Sequence, residues 1–160
     1  MSRIIGIDPG TATTGYGVIE SRGKDYHCLD YGVIKTPADW KVESRLQKIN
    51  EEFNLLLDKH LPETLAIESL FFFRNRSTAI PVSQARGVIL MSASQKGLNV
   101  CEYTPLQAKV ATVGYGKAEK RQVQEMVKII LNLDKVPRPN DAADALAVAI
   151  CHASSFNQFQ

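Results

Sequence analysis

Short apolar runs separated by turn residues occupy the first part of the chain. An isoleucine-rich run, Arg3–Asp8, ends at Pro9-Gly10, and two similar segments, TGYGVIE and CLDYGVIK, follow with turn residues between them. Apolar runs of this length, bounded by Gly, Pro and other turn formers, are typical of strands. Three such strands in succession predict an antiparallel meander.

Helical periodicity begins in the middle of the chain. From Ser44 to His60 apolar residues recur at helical spacing with charges on the other face, and Thr64–Glu68 is predicted as a fourth strand. A second helix is predicted over Thr78–Lys96, ended by Gly97, and the segment NVCEY is a fifth strand. This second helix is apolar on more than one face, which is typical of a helix that is central or shared with a partner.

Helices dominate the last third of the chain. Thr104–Gln107 has the capping-box pattern with proline at the first helical position, and further helices are predicted near Glu119–Leu131 and from Asp141 to about His152. The order β-β-β-α-β-α-β followed by helices predicts an α/β fold, with one mixed five-stranded sheet flanked by helices. A chain of 160 residues is expected to form a single domain over 1–160.

Composition narrows the class of protein. The chain is 44% hydrophobic and 22% charged, which is ordinary for a globular protein. No apolar run approaches a membrane span, and the N-terminus lacks a signal-peptide pattern. Cys28, Cys101 and Cys151 form no C-x-x-C pair, so neither a disulfide framework nor a zinc site is predicted. A reduced, cytoplasmic compartment is expected.

The net charge of +2 is unevenly distributed along the chain. The first 73 residues hold 8 Lys/Arg against 11 Asp/Glu, whereas the rest hold 11 against 6, which gives −3 and +5. The second part could therefore present a basic face to an anionic partner. Scattered solvated charges would fit the same counts equally well.

Four acidic residues lie at the ends of predicted strands or at the start of a predicted helix. Asp8 ends the first strand, Glu68 ends the fourth, and Asp141 and Asp144 share a face at the start of the last helix. Each has a structural explanation when taken singly: a turn position, a solvated strand end, or a favourable place in the helix dipole. The last helix is apolar nearly all round, however, so its aspartates would lie near a packed surface, where an unpaired charge is costly.

Adjacency of the first and fourth strands would bring these acids together. If the two strands are parallel neighbours, Asp8 and Glu68 lie at the same end of the sheet, where ligand sites of α/β sheets occur. Clustered carboxylates repel unless a cation lies among them, and an all-oxygen set suits Mg²⁺ or Mn²⁺. Two such ions can activate water in phosphodiester hydrolysis. The pattern therefore predicts a metal-dependent nuclease, on the assumption that the strands are neighbours.

Six motifs carry a resemblance to a known family. They are GIDPG, TGYGVI, AIESLFF, SQARG, VGYGKAEKRQV and DAADALAVAI. In this order and spacing they resemble the RuvC-type Holliday junction resolvases over nearly the whole chain. The resemblance implies a ribonuclease H-like fold, a homodimer, and Mg²⁺-dependent symmetric nicking of four-way DNA junctions in homologous recombination and DNA repair. It implies that Asp8, Glu68, Asp141 and Asp144 are the catalytic and metal-binding acids, with two ions per site and Mn²⁺ as an alternative metal.

The resemblance also implies DNA contacts and partners. Lys109 and Lys120 match basic positions that contact the scissile strand, and Phe71 matches an aromatic residue that stacks at the opened junction. The full set of DNA-binding candidates is Phe71, Phe72, Arg74, Arg76, Lys109, Lys117, Lys120 and Arg121. A solvated helix face remains the alternative for the lysines, and anchoring of the loop in the core for Phe72 and Phe73. The helix Thr78–Lys96 would form the dimer interface, and the partners would be a junction-binding protein and a hexameric branch-migration ATPase.

Three other functions fit parts of the sequence. GIDPGTATTG also resembles the first phosphate loop of the actin and sugar-kinase superfamily, but 160 residues leave no room for its two halves. A non-catalytic junction- or RNA-binding module would be favoured by the loss of an acid, and all four acids are present. A ribonuclease H-like nuclease acting on RNA–DNA hybrids is disfavoured by the phenylalanine loop and the apolar helix.

Overall fold

Five strands form one mixed sheet in the described part of the chain. The computed structural model describes residues 1–70 and 76–156. The strands are β1 (Ser2–Asp8), β2 (Thr13–Arg22), β3 (Asp25–Lys35), β4 (Thr64–Glu68) and β5 (Asn99–Tyr103). Their order across the sheet is β3-β2-β1-β4-β5, with β1, β2 and β3 antiparallel and with β4 and β5 parallel to β1. The predicted meander, the mixed sheet and the parallel pairing of the first and fourth strands are all confirmed.

Helices cover both faces of this sheet. The helices are α1 (Val42–His60), α2 (Arg76–Gln95), α3 (Pro105–Val113), α4 (Lys120–Ile130) and α5 (Asn140–Phe156). Side chains of β1 alternate between the two faces: Ile5 and Ile7 pack with α1 and α2, whereas Ile4 packs with α5 and the helices beside it. Among the described residues, no helix is both long enough and apolar enough to cross a membrane.

The predicted helix boundaries differ from the observed ones by a few residues. The capping box is confirmed, because Thr104 Oγ1 accepts the Gln107 N–H at 3.1 Å and Gln107 Oε1 accepts the Thr104 N–H at 2.8 Å. The last helix, expected to stop near His152, continues to Phe156. Within its last turn, the Ser155 hydroxyl donates to the carbonyl of Cys151 at 2.8 Å.

Glycines in the first two strands let α5 lie against the backbone of the sheet. A Cβ placed on Gly6 would lie 2.1 Å from the carbonyl oxygen of Ala145, and one on Gly15 would lie 2.0 Å from that of Asp141. No side chain fits at either position without moving backbone. The first turn of α5 is therefore held directly beside the end of β1.

Candidate active site

Three of the predicted acids converge at one edge of the sheet. Asp8, Asp141 and Asp144 each offer a carboxylate oxygen, and these oxygens lie within 4.8 Å of one another. Asp8 is the last residue of β1, and the two others belong to the first turns of α5. The close contact of α5 with Gly15 sets this separation, because it places the Asp141 backbone directly over β2.

Glu68 joins the group from the neighbouring strand. The parallel register pairs Ile7 with Ile67, so Asp8 and Glu68 follow at the same level. The two carboxyl groups are close enough to affect each other's pKa. The structure thus brings all four predicted acids together, three as a potential ligand cluster and the fourth through Asp8.

Burial and mutual repulsion disfavour charge on these acids. Burial, followed by the negative charge of Glu68, raises the pKa of Asp8 to about 9. Burial also raises the pKa of Glu68 and that of Asp144, the latter against the opposing effect of Lys120. Without a cation, protonation of Asp8 is therefore favoured at neutral pH. A bound divalent cation would displace that proton, because metal ligands bind in the deprotonated form.

Two lysines lie beside the acids. Lys120 Nζ is 3.2 Å from Asp144 Oδ2, and the charge of Lys109 also acts on that carboxyl. A cavity of about 250 Å³ opens between the acids and helices α3, α4 and α5, and both lysines line it together with Glu68 and Asp144. The remaining lining residues are Pro105, Ala108, Val123 and Ala147. The arrangement combines ligands for a cation with positive charges that can neutralise a phosphate.

The other residues predicted to contact DNA either do not line this cavity or lie outside the described residues. Lys117 and Arg121 are exposed, and neither belongs to the described residues that line this cavity. Phe71, Phe72 and Arg74 lie outside the described residues, as do the side chain of Arg76 and the alternative anchor Phe73. Their contacts with DNA stay predictions.

Arg86 is a residue of the site to which the sequence assigned no role. It projects from α2, its side chain is only 12% exposed, and its Nη2 pairs with Glu102 Oε1 at 2.5 Å. Its Nη1 donates to the backbone carbonyl of Glu68 at 3.5 Å, a long contact at the end of β4. A cation on a helix with a broad apolar surface is the available signal, because a charge that packing buries needs a partner. The sequence did not show which strands would supply the partners.

The acids fit a hard divalent cation. All donors are carboxylate oxygens, the ligands that Mg²⁺ and Mn²⁺ prefer, and no thiol or imidazole belongs to the cluster found among the described residues. The raised pKa values agree with this, since burial first and neighbouring negative charge second disfavour the ionised carboxylates, and a bound cation would counteract both.

Comparison with known proteins identifies the family. The family model described as crossover junction endodeoxyribonuclease RuvC matches residues 4–152. The chain belongs to the RuvC family. RuvC from Syntrophomonas wolfei is 54% identical over 154 residues, which cover 96% of this chain and 90% of the relative. RuvC from Fusobacterium nucleatum is 50% identical over 153 residues, which cover 96% and 80%.

Solved structures agree with this membership. The Thermus thermophilus RuvC in complex with a Holliday junction substrate is 36% identical, superposes with a TM-score of 0.94, and is matched over 99% of this chain and 97% of that chain. The yeast mitochondrial Holliday junction resolvase Ydc2 superposes with a TM-score of 0.67 at 15% identity, a likeness of fold alone. The ribonuclease H-like fold expected for RuvC proteins is therefore confirmed.

Proposed function

We propose that this chain is an endonuclease that resolves four-way DNA junctions by paired symmetric nicks, with Mg²⁺ as its metal. The observation that carries the proposal is the convergence of Asp8, Asp141 and Asp144 with Glu68. It occurs in a member of a family of crossover junction endodeoxyribonucleases. The RuvC that was solved with a Holliday junction substrate has the same fold at 36% identity.

The four acids would hold the metal. Four carboxylates carry enough negative charge for two divalent ions, so we propose two Mg²⁺ per site, with Mn²⁺ able to replace them. When bound, these ions would supply a water of lowered pKa and a Lewis acid for the leaving oxygen. The contribution of the chain is to fix the oxygens on a strand end and a helix turn, which are rigid elements.

Lys109 and Lys120 would hold the scissile strand. Both line the 250 Å³ cavity, so a phosphodiester in that cavity would meet two cations together with Glu68 and Asp144. Hydrolysis by water would leave a 5′-phosphate and a 3′-hydroxyl. Lys117 and Arg121, which are exposed nearby, are proposed as weaker contacts with flanking phosphates. Phe71 is proposed to stack on a base at the junction centre, with Phe72, Arg74 and Arg76 as further contacts.

A homodimer would place two such sites on one junction. Helix α2 leaves Ile80 70% and Met91 53% exposed, which is costly for apolar side chains that remain in water. A symmetric dimer through this face would bury both and present two equivalent centres to two equivalent strands. A junction-binding protein and a hexameric branch-migration ATPase are proposed as further partners on the strength of the family alone.

The test is a nicking assay on three substrates. A synthetic four-way junction, a plain duplex and an RNA–DNA hybrid are incubated with Mg²⁺ or with EDTA. We expect Mg²⁺-dependent nicks at symmetric positions of the junction and little cleavage of the other two. Asp8→Asn and Glu68→Gln should bind the junction in a gel-shift assay and fail to cleave it. Asp58→Asn, an exposed acid of α1, is the matched control and should cleave normally. Mg²⁺-dependent cleavage by Asp8→Asn at the wild-type rate would contradict the assignment.

A further inference from the structure

A second cavity lies at the same edge of the sheet as the acids, on the opposite face. It measures about 400 Å³ and is lined by Gly10, Thr11, Ala12, Thr13, Arg45, Ser77, Thr78, Pro81 and Val82. These residues belong to the turn between β1 and β2, to α1 and to the first two turns of α2. The acids face α5 instead. The turn that lines the second cavity therefore directly follows Asp8, a member of the acidic cluster.

Arg45 gives the second cavity its charge. The side chain is half-buried on α1, and its Nε donates to Thr36 Oγ1 at 2.8 Å. Thr36 in turn donates to the carbonyl of Thr11 at 2.6 Å, so the guanidinium is oriented against the turn. No carboxylate of residues 1–70 or 76–156 pairs with Arg45, and no acid lines the cavity. The guanidinium is thus a positioned cation without an internal counter-charge.

The turn itself carries a polar group without a partner. The hydroxyl oxygen of Thr11 is buried, and no described group forms a hydrogen bond with it. A buried hydroxyl left unpaired costs stability, and a ligand oxygen bound in the cavity would give it a partner. Opposite it, the first turn of α2 has no acidic residue, so the partial positive charge of this helix end is not offset there.

These features are those of a phosphate site. Contacts to nucleic-acid phosphates come from arginine, from hydroxyl groups, from backbone N–H groups and from helix N-termini. The cavity is lined by an arginine, by threonine and serine residues and by the first turns of α2. Among the described residues that line the cavity, none is aromatic. The resemblance of GIDPGTATTG to a phosphate loop is then explained by phosphate binding, and the ligand need not be ATP.

We propose that this cavity binds a backbone phosphate of the DNA whose scissile phosphate lies at the acids, an inference that rests on the proposed function. The DNA would then contact the protein on both faces of the sheet. The Lys109 and Lys120 cavity holds the phosphate to be cut, and the Arg45 cavity holds another phosphate of the same junction. Arg45 is a binding residue in this scheme and takes no part in the chemical step.

The experiment measures junction affinity in EDTA as a function of salt concentration. Arg45→Gln removes the cation, and Thr11→Val removes the unpaired hydroxyl while keeping its shape. Lys24→Gln, an exposed residue of the β2–β3 turn, makes the same charge change at the opposite edge of the sheet. We expect Arg45→Gln to weaken binding about tenfold and to lower the slope of log K against log salt by about 0.9. Lys24→Gln should leave that slope unchanged.

The Thr11→Val variant tests junction affinity without a loss of folding stability. Because its hydroxyl has no partner, the substitution should leave the thermal midpoint equal to that of wild type or higher, while junction affinity falls about threefold. Junctions carrying one neutral methylphosphonate at a time locate the contact. One position should weaken wild type and have no effect on Arg45→Gln.

Three experimental outcomes would overturn the proposed phosphate site, its ligand or the proposed function. Wild-type slope and affinity in folded Arg45→Gln and Thr11→Val would overturn the phosphate site. Competition by ATP that Arg45→Gln abolishes would replace it with a nucleotide site. A wild-type protein that binds junctions in this manner but never nicks them would overturn the proposed function alone, because the affinity measurements require no cleavage.

Discussion

Replacing Gly15 by alanine should increase the distance between Asp8 and the two aspartates of α5 without substituting any of these acids. The added Cβ would lie 2.0 Å from the carbonyl oxygen of Asp141 and 2.4 Å from its carbonyl carbon. Both atoms are backbone, and contacts to Cβ closer than 3.0 Å are essentially never observed. The first turn of α5 must therefore move away by about 1 Å or more, and it carries Asp141 and Asp144 with it.

Gly17→Ala provides the matched comparison. Its Cβ would meet Leu146 Cδ2 at 2.6 Å and Cγ at 2.7 Å, both side-chain atoms, whereas the nearest backbone atom, Leu146 Cα, would lie at 3.0 Å. Overpacking of this kind costs about 1–3 kcal/mol, and we expect a loss of that size from both variants in urea unfolding with EDTA. Only Gly15→Ala should displace metal ligands, and a displacement of about 1 Å at a reacting centre can cost about 100-fold in rate.

Two measurements separate stability from site geometry. Isothermal titration with Mn²⁺ reports metal affinity, and single-turnover nicking of a junction at saturating protein reports the chemical step. Gly15→Ala should lose about 100-fold in nicking and bind Mn²⁺ more weakly, whereas Gly17→Ala should retain both within severalfold. Equal metal affinity and equal nicking in the two variants would refute the idea that the contact of α5 with Gly15 sets the ligand spacing.

Three further predictions concern protonation, charge and stacking. A carboxyl with a raised pKa binds its proton more tightly when folded, so the raised pKa of Asp8, about 9, makes the metal-free protein lose stability as pH rises from 6 to 9. Urea midpoints in EDTA should show this slope, and saturating Mg²⁺ or Asp8→Asn should reduce it. Lys120→Met removes the cation 3.2 Å from Asp144, so calorimetry should show tighter Mg²⁺ binding while nicking slows, with Arg121→Met changing metal affinity little. Phe71→Ala should slow cleavage of intact junctions more than it weakens binding in a gel shift, and normal cleavage would remove Phe71 from the site.

The acids could be predicted from the sequence because their signals are local. A carboxylate at the end of a buried strand, or in the first turn of an apolar helix, is visible in a short stretch of residues. The one long-range assumption was that the first and fourth strands are parallel neighbours, and the pairing of Ile7 with Ile67 confirms it. Lys109 and Lys120 came from resemblance to a family, since nothing local distinguishes them from solvated lysines.

Arg86 and Arg45 could not be placed from the sequence, because their roles depend on register and packing. Arg86 meets the carbonyl of Glu68 and the carboxylate of Glu102, which lie on two different strands. Arg45 reaches the β1–β2 turn only because α1 packs across that face of the sheet. Helical periodicity separates an apolar face from a polar one, but it does not identify which strand ends that polar face approaches.

The glycines in β1 and β2 explain why the sequence beside the acids departs from ordinary strand propensity. Glycine within a strand costs roughly 0.5–1 kcal/mol relative to alanine, so strand propensity alone argues against Gly6 and Gly15. Their absent side chains let the backbone of α5 approach the sheet, and that approach brings carboxylates within 4.8 Å of one another. The glycines therefore cost strand stability, and the clustered carboxylates repel one another unless protonation or a bound cation reduces their charge. Such a combination is expected where a site is under functional demand, because packing alone would favour larger side chains on the strands and fewer acids on the helix.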